Sequence, residues 1–289
     1  MNEKSDNPYV VVLGIAQDAG YPQANCDKEC CRKAWENPKL SRYACCLGLV
    51  DPVSGEQWLF DATPDIKYQL RLLESSSGIN PVNGIFLTHA HIGHYTGLMQ
   101  FGREVMGVKN LPVYAMNRMR SFIKQNAPWS QLVEIKNIDL IPLADNTVVR
   151  LNERISITPF LVPHRGEFSE TVGFKITTAD KSLIFIPDID RWEDWEVDIA
   201  ALVKSVDYAF LDATFFQDGE LGRDMREIPH PIVKQTMEIF KELTKDEKET
   251  IHFIHFNHTN PLLRNGSEAQ NYVKDHGFKI SEQGQVIEL

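Results

Sequence analysis

Short apolar runs separated by polar loops recur along the whole chain, and they predict a protein rich in β-strands. The segment Tyr9–Leu13 is apolar at every position, a pattern typical of strands buried on both faces. Similar runs predict strands at Cys45–Val50, Gln57–Phe60, Gly84–Leu87, Leu111–Ala115, Ile155–Val162, Thr171–Thr178, Ser182–Ile186, Tyr208–Leu211 and Ile251–Ile254, with several strands between Leu132 and Val162.

Between the strands, apolar positions follow a helical period. Ile66, Leu70 and Leu73 recur at i, i+4 and i+7, which predicts a helix to about Glu74 that starts at Thr63-Pro64. Other helices are predicted at Arg32–Asn37, Tyr95–Met106, Asn117–Gln125, Trp192–Val203 and around Val233–Phe240, and a polar loop at Ala213–Pro229. Because strands and helices alternate without repeats or a linker, we expect one α/β domain over residues 1–289.

The predicted strands repeatedly end at a residue that can bind a metal. These residues are Asp61, His89, His164, Asp188, Asp212 and His255. In layered α/β folds, ligand sites form at strand ends, on loops that a rigid sheet supports. We therefore expect these side chains to meet at one site.

Three histidines lie close together after the strand at Gly84–Leu87. His89 and His91 point the same way in an extended backbone, and His94 can reach the same point from the start of the next helix. Neutral imidazole is a ligand of zinc, iron and manganese, so the segment predicts a metal site. The alternative is a surface loop that carries histidines by chance.

Five cysteines are clustered rather than spread along the chain. Cys26, Cys30 and Cys31 share one predicted loop, where core packing does not explain three thiols, and we favour a structural metal site over free thiols. Cys45 and Cys46 belong to a predicted strand, and we expect at least one of them to be buried and inert.

Composition and net charge limit the classes of partner that we expect the protein to bind. The net charge of −10 disfavours general binding to nucleic acid or to an anionic membrane. No apolar run approaches transmembrane length, and Met1–Pro8 is polar, so we expect a cytoplasmic protein with a small-molecule substrate. A homodimer remains an open alternative.

The histidine segment resembles the His-x-His-x-Asp-His signature of the metallo-β-lactamase superfamily, with Gly93 where the family has Asp. The resemblance covers nearly the whole chain, because the family's further ligands are matched by His164, Asp188 and His255. It implies an αββα sandwich with the metals at one edge of the two sheets.

The resemblance also implies roles for individual residues. His89, His91 and His164 would bind one metal, and His94, Asp188 and His255 a second, with Asp188 as the bridge. The expected ion is zinc, with iron or manganese as alternatives, and Asp61 would orient the histidine segment. His230 would either donate a proton in catalysis or cap the next helix, and we prefer the cap.

Two branches of the superfamily are similar in shorter segments. Gly20-Tyr21-Pro22-Gln23 resembles a segment found both in the pyrroloquinoline quinone biosynthesis B proteins and in the carbon–phosphorus lyase pathway phosphodiesterases. Asp212-Ala213-Thr214 resembles the first of these branches. The pair His255 and His258 resembles the carbon–phosphorus lyase pathway phosphodiesterases, which implies a structural zinc on Cys26, Cys30, Cys31 and His258, although the cysteine spacing departs from that branch.

The first branch implies a metal-dependent oxygenase or another redox step, which iron in a histidine-rich site would permit. The second implies a metal-dependent hydrolase that cleaves a small phosphodiester with a metal-bound water, and we prefer this hypothesis. A non-enzymatic carrier with a degenerate site is the third, and Gly93 is the one feature that supports it.

Gly93 also predicts an asymmetric centre. Gly cannot supply the carboxylate that ligates the second metal in the family, so we expect one tight metal at His89, His91, His164 and Asp188 and a weak or absent second one. The alternative is that another carboxylate, such as Asp190, takes the missing place.

Overall fold

Two seven-stranded β-sheets pack face to face in the computed structural model, which describes residues 5–225 and 228–289. The strands are β1 Tyr9–Gly14, β2 Cys46–Asp51, β3 Glu56–Phe60, β4 Gly84–Phe86, β5 Leu111–Ala115, β6 Ile138–Pro142, β7 Val149–Arg150, β8 Ser156–Leu161, β9 Val172–Thr177, β10 Ser182–Ile186, β11 Tyr208–Asp212, β12 Ile251–Ile254, β13 Lys279–Ile280 and β14 Val286–Glu288.

Both sheets are mixed, and each combines an antiparallel part with a parallel part. The first has the order β14-β1-β2-β3-β4-β5-β6, antiparallel as far as β3 and parallel from β3 to β6. The second has the order β13-β12-β11-β10-β9-β8-β7, parallel from β13 to β10 and antiparallel beyond. Helices cover the outer faces, which gives the predicted αββα sandwich.

Strand β1 shows why its sequence is apolar throughout. Val10 and Val12 pack into the core between the sheets, whereas Val11 and Leu13 pack against the helical layer outside the first sheet. Successive side chains point to opposite faces of a strand, so a strand covered on both sides needs apolar residues at every position.

Phenylalanine rings from both sheets pack against one another in the core between the sheets. The ring centroid of Phe60 on β3 lies 5.3 Å from that of Phe174 on β9 and 6.2 Å from that of Phe185 on β10. Phe86 on β4 also packs against Phe174, at 5.6 Å. These contacts set the position of one sheet relative to the other.

The α-helices are α1 Glu29–Glu36, α2 Ile66–Ser77, α3 Ile92–Tyr95, α4 Asn117–Gln125, α5 Trp129–Glu134, α6 Ile199–Lys204, α7 Val233–Ile239, α8 Lys245–Glu249 and α9 Glu268–Asp275. Short 3-10 helices occur at Pro38–Leu40, Thr96–Phe101, Trp192–Asp194 and Pro261–Leu263. None of the helices within these described ranges is long and apolar enough to cross a membrane.

Four predicted elements have the bounds that the sequence indicated, namely β5, β10, β12 and α4. The helix predicted to start at Thr63-Pro64 begins instead at Ile66, and Thr63 Oγ1 accepts a hydrogen bond from the amide of Asp65. The start of the region predicted as strands from Leu132 is also wrong, because Leu132 lies in α5. In the predicted loop Ala213–Pro229, residues 226 and 227 lie outside the described residues.

Two predicted helices are interrupted for physical reasons. The helix at Tyr95–Met106 is wrong beyond Tyr95, because the backbone of Gly97 packs so closely that an added Cβ would lie 2.1 Å from the carbonyl oxygen of Thr63. The helix at Trp192–Val203 is split, because the side chain of Asp198 accepts hydrogen bonds from two amides and starts α6 there.

Candidate metal centre

The polar residues that follow strands of both sheets meet at one edge of the sandwich. His89 follows β4, Asp188 follows β10 and His255 follows β12. Their side chains are almost completely buried. Asp61 and His255 have φ angles of 72° and 68°, an uncommon backbone conformation that structures retain most often at functional sites.

One group of possible ligands consists of His89, His91, His164 and Asp188. His91 Nδ1 lies 2.8 Å from His89 Nε2 and 3.2 Å from His164 Nε2. The carboxylate of Asp188 lies 3.2 Å from His89 Nε2 and 3.4 Å from His164 Nε2. Zinc–nitrogen bonds of about 2.0–2.1 Å in a tetrahedral site put ligand atoms roughly 3.3 Å apart. The group therefore has the spacing that a tetrahedral metal site needs.

Hydrogen bonds outside this group determine which ring nitrogens face inward. Thr88 Oγ1 donates to the carboxylate of Asp61, so His89 Nδ1, 3.0 Å from Thr88 Oγ1, is the donor of that pair. His164 Nδ1 likewise donates to Asp190 Oδ1 at 2.6 Å. Both histidines therefore turn the lone pair of Nε2 toward the centre, where a metal would bind.

The position of Asp190 excludes it as a substitute for the missing carboxylate at residue 93. Its side chain holds His164 in place instead. The alternative prediction that Asp190 replaces the missing carboxylate is therefore wrong.

Two further groups of possible ligands lie beside the first. One consists of Asp188, Asp212, His230 and His255 and shares Asp188 with the first group, and the other consists of Asp18, His94 and His255. Asp188 Oδ2 is 3.5 Å from His94 Nε2 and 3.8 Å from His255 Nε2. The ligand atoms of Asp18, His94 and His255 also lie within 4.8 Å of one another. No pattern in the sequence indicated Asp18 as a ligand, since its approach to Gly93 depends on how the loop after β1 folds.

Burial and neighbouring charges shift the pKa values of His94 and Asp188 in opposite directions. Burial lowers the pKa of His89 well below its usual value, which keeps the ring in the neutral form that binds metals. Burial would also lower the pKa of His94, but the carboxylates of Asp61 and Asp18 raise it well above the usual value. Burial alone would raise the pKa of Asp188, yet the surrounding histidines hold it well below its usual range. The carboxylates therefore favour positive charge at the centre.

His230 belongs to the centre and does not cap a helix. Its Nδ1 atom lies 3.2 Å from Asp188 Oδ1 and 3.1 Å from Asp212 Oδ2. The next helix, α7, begins at Val233 and has Ile232 at its N-cap, so the preferred interpretation from the sequence is wrong. Burial acts to lower the pKa of His230, but the carboxylates of Asp188 and Asp212 raise it to about 9.

Two clefts open beside the centre. One, of about 740 Å³, has His164 in its wall together with Arg118, Phe160, Lys175 and Trp195. The other, of about 430 Å³, is lined by His230 and Trp192. Phe215 and Phe216 are buried, whereas Trp195 faces the larger cleft.

The three clustered thiols and His258 form a separate group of possible metal ligands. Cys26 Sγ lies 3.7 Å from Cys30 Sγ, and His258 Nδ1 lies 3.7 Å from Cys30 Sγ and 3.3 Å from Cys31 Sγ. Zinc–sulfur bonds of about 2.3 Å in a tetrahedral site imply similar separations. Burial raises the pKa of Cys31 to about 12, so a bound cation would be needed to keep all three sulfurs as thiolates.

The remaining cysteines are buried in the sheet. Cys45 and Cys46 are both inaccessible, and burial raises the pKa of each thiol well above its usual value. The prediction that at least one of them is buried is therefore confirmed. Cys30 and Cys31, predicted in a loop, instead lie in the first turn of α1.

A family model described as a beta-lactamase superfamily domain matches residues 57–255, more than half of the chain. The chain belongs to the metallo-β-lactamase superfamily. Among curated members of this superfamily, coenzyme PQQ synthesis protein B of Rhizobium meliloti (strain 1021) is 28% identical, with 100% of both chains covered. The protein of the same name from Xanthomonas campestris pv. campestris (strain B100) is 25% identical, with 97% of this chain and 99% of the relative covered.

Solved structures of the superfamily share the architecture at low sequence identity. Zn(2+)-bound PqqB from Methylobacterium extorquens has a TM-score of 0.82 and 22% identity, over 97% of this chain and 100% of that one. A diphosphatase from the PhnP family has a TM-score of 0.71 and 22% identity, over 98% of this chain and 97% of the other. Both comparisons support the metallo-β-lactamase fold predicted from the sequence.

Proposed function

We propose that this protein is a metal-dependent hydrolase that cleaves a small phosphodiester. The observation that carries the proposal is the closeness of two ligand groups, the first with His89, His91 and His164 and the second with Asp18, His94 and His255. The carboxylate of Asp188 lies near histidines of both groups, and the imidazole of His230 lies beside that carboxylate. Adjacent metal sites of this kind suit displacement reactions at phosphorus, because both the attacking and the leaving oxygen carry negative charge. The PhnP-family diphosphatase with the same fold is consistent with phosphate chemistry.

Zinc fits the donor atoms at both places. His89, His91 and His164 would hold the first ion with Asp188, and the Zn(2+)-bound PqqB structure provides a precedent in this fold. Cys26, Cys30, Cys31 and His258 would hold a separate structural zinc, since thiolates with one imidazole are a common set for such sites. Bound zinc would lower the pKa of a coordinated water to near neutral and thereby supply the nucleophile.

The protein's own residues would orient the substrate and move protons. His230 is buried beside Asp188, so its imidazolium could give a proton to the leaving oxygen. Asp212 would keep His230 charged and oriented, since its Oδ2 atom lies 3.1 Å from His230 Nδ1. Arg118 and Lys175 in the larger cleft offer positive charge to the substrate phosphate, and Phe160 and Trp195 offer an apolar wall.

A comparison of two leaving groups tests this proposal. The zinc-loaded protein should hydrolyse bis(p-nitrophenyl) phosphate and also an alkyl phosphodiester, whose leaving oxygen needs a proton. His230→Gln should reduce kcat for the alkyl ester by about 10²–10⁴-fold, the usual contribution of a general acid. The reduction for the p-nitrophenyl ester should be much smaller, because that leaving group departs without a proton.

His276→Gln is the matched control, since His276 lies at the end of α9 on the surface. It should leave kcat unchanged for both esters. Equal losses for the two esters in His230→Gln would contradict the role of His230, and no turnover of any phosphodiester by the zinc-loaded protein would contradict the proposed function.

The relatives named coenzyme PQQ synthesis protein B favour a second candidate, a metal-dependent oxygenase. Their similarity extends over nearly the whole chain, and three histidines with one carboxylate also suit iron. Oxygen consumption by the iron-loaded protein with quinone precursors, absent in the zinc-loaded protein, would support this candidate. Phosphodiester turnover with zinc and no oxygen uptake with iron would exclude it.

A further inference from the structure

Gly93 has no room for a side chain, because Asp18 occupies the space beside it. A Cβ atom built on Gly93 would lie 2.4 Å from both the Cα and the Oδ1 atom of Asp18. Asp18 belongs to the loop that follows β1, whereas Gly93 belongs to α3. The carboxylate of Asp18 therefore lies where a side chain at position 93 would extend.

His94 turns a lone pair toward Asp18. His94 Nδ1 lies 2.7 Å from Asp61 Oδ2, and a carboxylate only accepts hydrogen bonds, so this nitrogen carries the proton. In the neutral ring, Nε2 is then unprotonated, and it faces Asp18 Oδ1 at 3.5 Å. In this neutral form, two acceptors face each other at this point.

His255 presents a lone pair to the same place. Thr214 Oγ1 donates to Asp212 Oδ1 at 2.7 Å, so His255 Nδ1, 3.0 Å from Thr214 Oγ1, must be the donor to that hydroxyl. In the neutral ring, His255 Nε2 is therefore an acceptor. It lies 3.8 Å from Asp188 Oδ2, which is a further acceptor.

These acceptors lack a donor among the residues that the structure describes. Asp18 Oδ1, His94 Nε2 and His255 Nε2 are all buried without a hydrogen-bond partner there. Buried polar atoms without partners cost free energy, and acceptors that face each other also repel. A cation among them would satisfy all of them at once.

A second proton on His94 is the competing explanation, because it would pair the ring with Asp18 and Asp61. A charge-assisted hydrogen bond of this kind is typically about 2.7–2.9 Å long, whereas His94 Nε2 and Asp18 Oδ1 are 3.5 Å apart. The proton would also leave His255 Nε2 without a partner. Metal binding accounts for both observations.

The loop that carries Asp18 is attached to the segment that carries His255. The amide of Gln17 donates to the carbonyl oxygen of Phe256 at 2.8 Å. Asn257 Nδ2 donates to Gln17 Oε1 at 2.6 Å. Asp18 is therefore held close to His255 before any metal binds.

We propose that Asp18 replaces the missing loop carboxylate and ligates a second divalent metal together with His94, His255 and Asp188. The ligand set is then complete, so the second ion binds tightly and the centre is not weakened by Gly93. The proposal rests on the metal centre of the proposed function, but it does not depend on which substrate is cleaved.

Zinc titration of the metal-free full-length chain by calorimetry, with anomalous scattering to locate each ion, tests this proposal. The wild type should bind two ions at the centre and one at the cysteines. Asp18→Asn keeps the size of the side chain and removes its charge, and it should weaken the ion at His94 and His255 by about 100-fold or more, since even outer partners of ligands contribute about 10–100-fold. The ions at His89 and at the cysteines should remain, which also shows that the variant is folded.

Two further variants sharpen the test. Asp180→Asn makes the same change at an exposed turn residue and should bind metal as the wild type does. Gly93→Asp should weaken the second ion instead of strengthening it, because the new side chain collides with Asp18.

An unchanged second ion in Asp18→Asn would overturn the proposal, as would a wild-type crystal with no ion between Asp18, His94 and His255. Two tightly bound ions without phosphodiester turnover would leave this proposal standing and would contradict the proposed function alone.

Discussion

His252 is a buried histidine outside the metal centre. It lies on β12, stacks on Phe210 with ring centroids 4.9 Å apart, and its Nδ1 atom has no hydrogen-bond partner among the described residues. Burial lowers its pKa to about 4, and the charge of Lys279 adds to the effect. The folded protein therefore keeps this ring neutral at a pH where the unfolded chain protonates it.

The lowered pKa of His252 makes the free energy of unfolding depend on pH, because the unfolded state binds a proton at this ring more readily than the folded state. Between a pH of about 6.5 and about 4 the unfolded state binds the additional proton, so the free energy of unfolding falls as the pH falls. From about pH 7 to about pH 5 the wild type should lose about 2 kcal/mol through His252. Urea unfolding of the wild type and of His252→Phe at both pH values measures this. The variant should lose about 2 kcal/mol less, and equal losses would contradict the prediction.

Individual ligands were predictable where neighbouring residues in the sequence define the geometry. His89, His91 and His94 follow one strand closely, so a metal site could be predicted from their spacing. The site residues that were missed make contacts between distant segments. Asp18 reaches the centre from the loop after β1, and Thr214 reaches His255 from the end of β11, and no local pattern indicates either contact.

At the scale of elements, the sequence predicted buried strands better than helices. Strands such as β5 and β12 are short, mostly apolar segments, and their predicted bounds are confirmed. The helix predicted after His94 ended early because Gly97 donates its amide to the carbonyl oxygen of Ala62 at 2.8 Å. Close backbone contact with a distant segment leaves no periodic signal in the sequence.

Helix α1 contacts the segment that follows β12 through the thiols and His258. Cys31 and His258 lie in contact although they are far apart in the sequence, so a zinc bound there would link the N-terminal part of the chain to a segment near its C-terminus. Cys31→Ala should lose this zinc. At zinc concentrations of about 100 times Kd, the loss should lower the free energy of unfolding by about 2.7 kcal/mol beyond the effect of the cavity.

Cys46→Ala is the matched control, because Cys46 is also a completely buried thiol but belongs to β2. Metal analysis and urea unfolding of both variants separate the cavity from the zinc. Equal stabilities with an equal zinc content would contradict a structural zinc at Cys31.

At the scale of the whole molecule, each sheet supplies part of the centre. His89, His91 and His94 follow a strand of the first sheet, whereas His164, Asp188 and His255 follow strands of the second. The distances between ligand atoms therefore depend on how the two sheets pack. Phe174 lies at that interface, in contact with Phe60 and Phe86.

Phe174→Ala should therefore weaken metal binding although Phe174 is not a ligand. The substitution should lower the free energy of unfolding by about 3–5 kcal/mol, and the relaxed interface should let the two halves of the centre move apart. Phe240→Ala removes an equally buried ring at the end of α7 and should cost similar stability. Calorimetric zinc titration of both folded variants distinguishes the two effects. Zinc affinity at the centre should fall in Phe174→Ala and remain that of the wild type in Phe240→Ala. An equal fall in both variants would show that metal affinity follows global stability and not the alignment of the sheets.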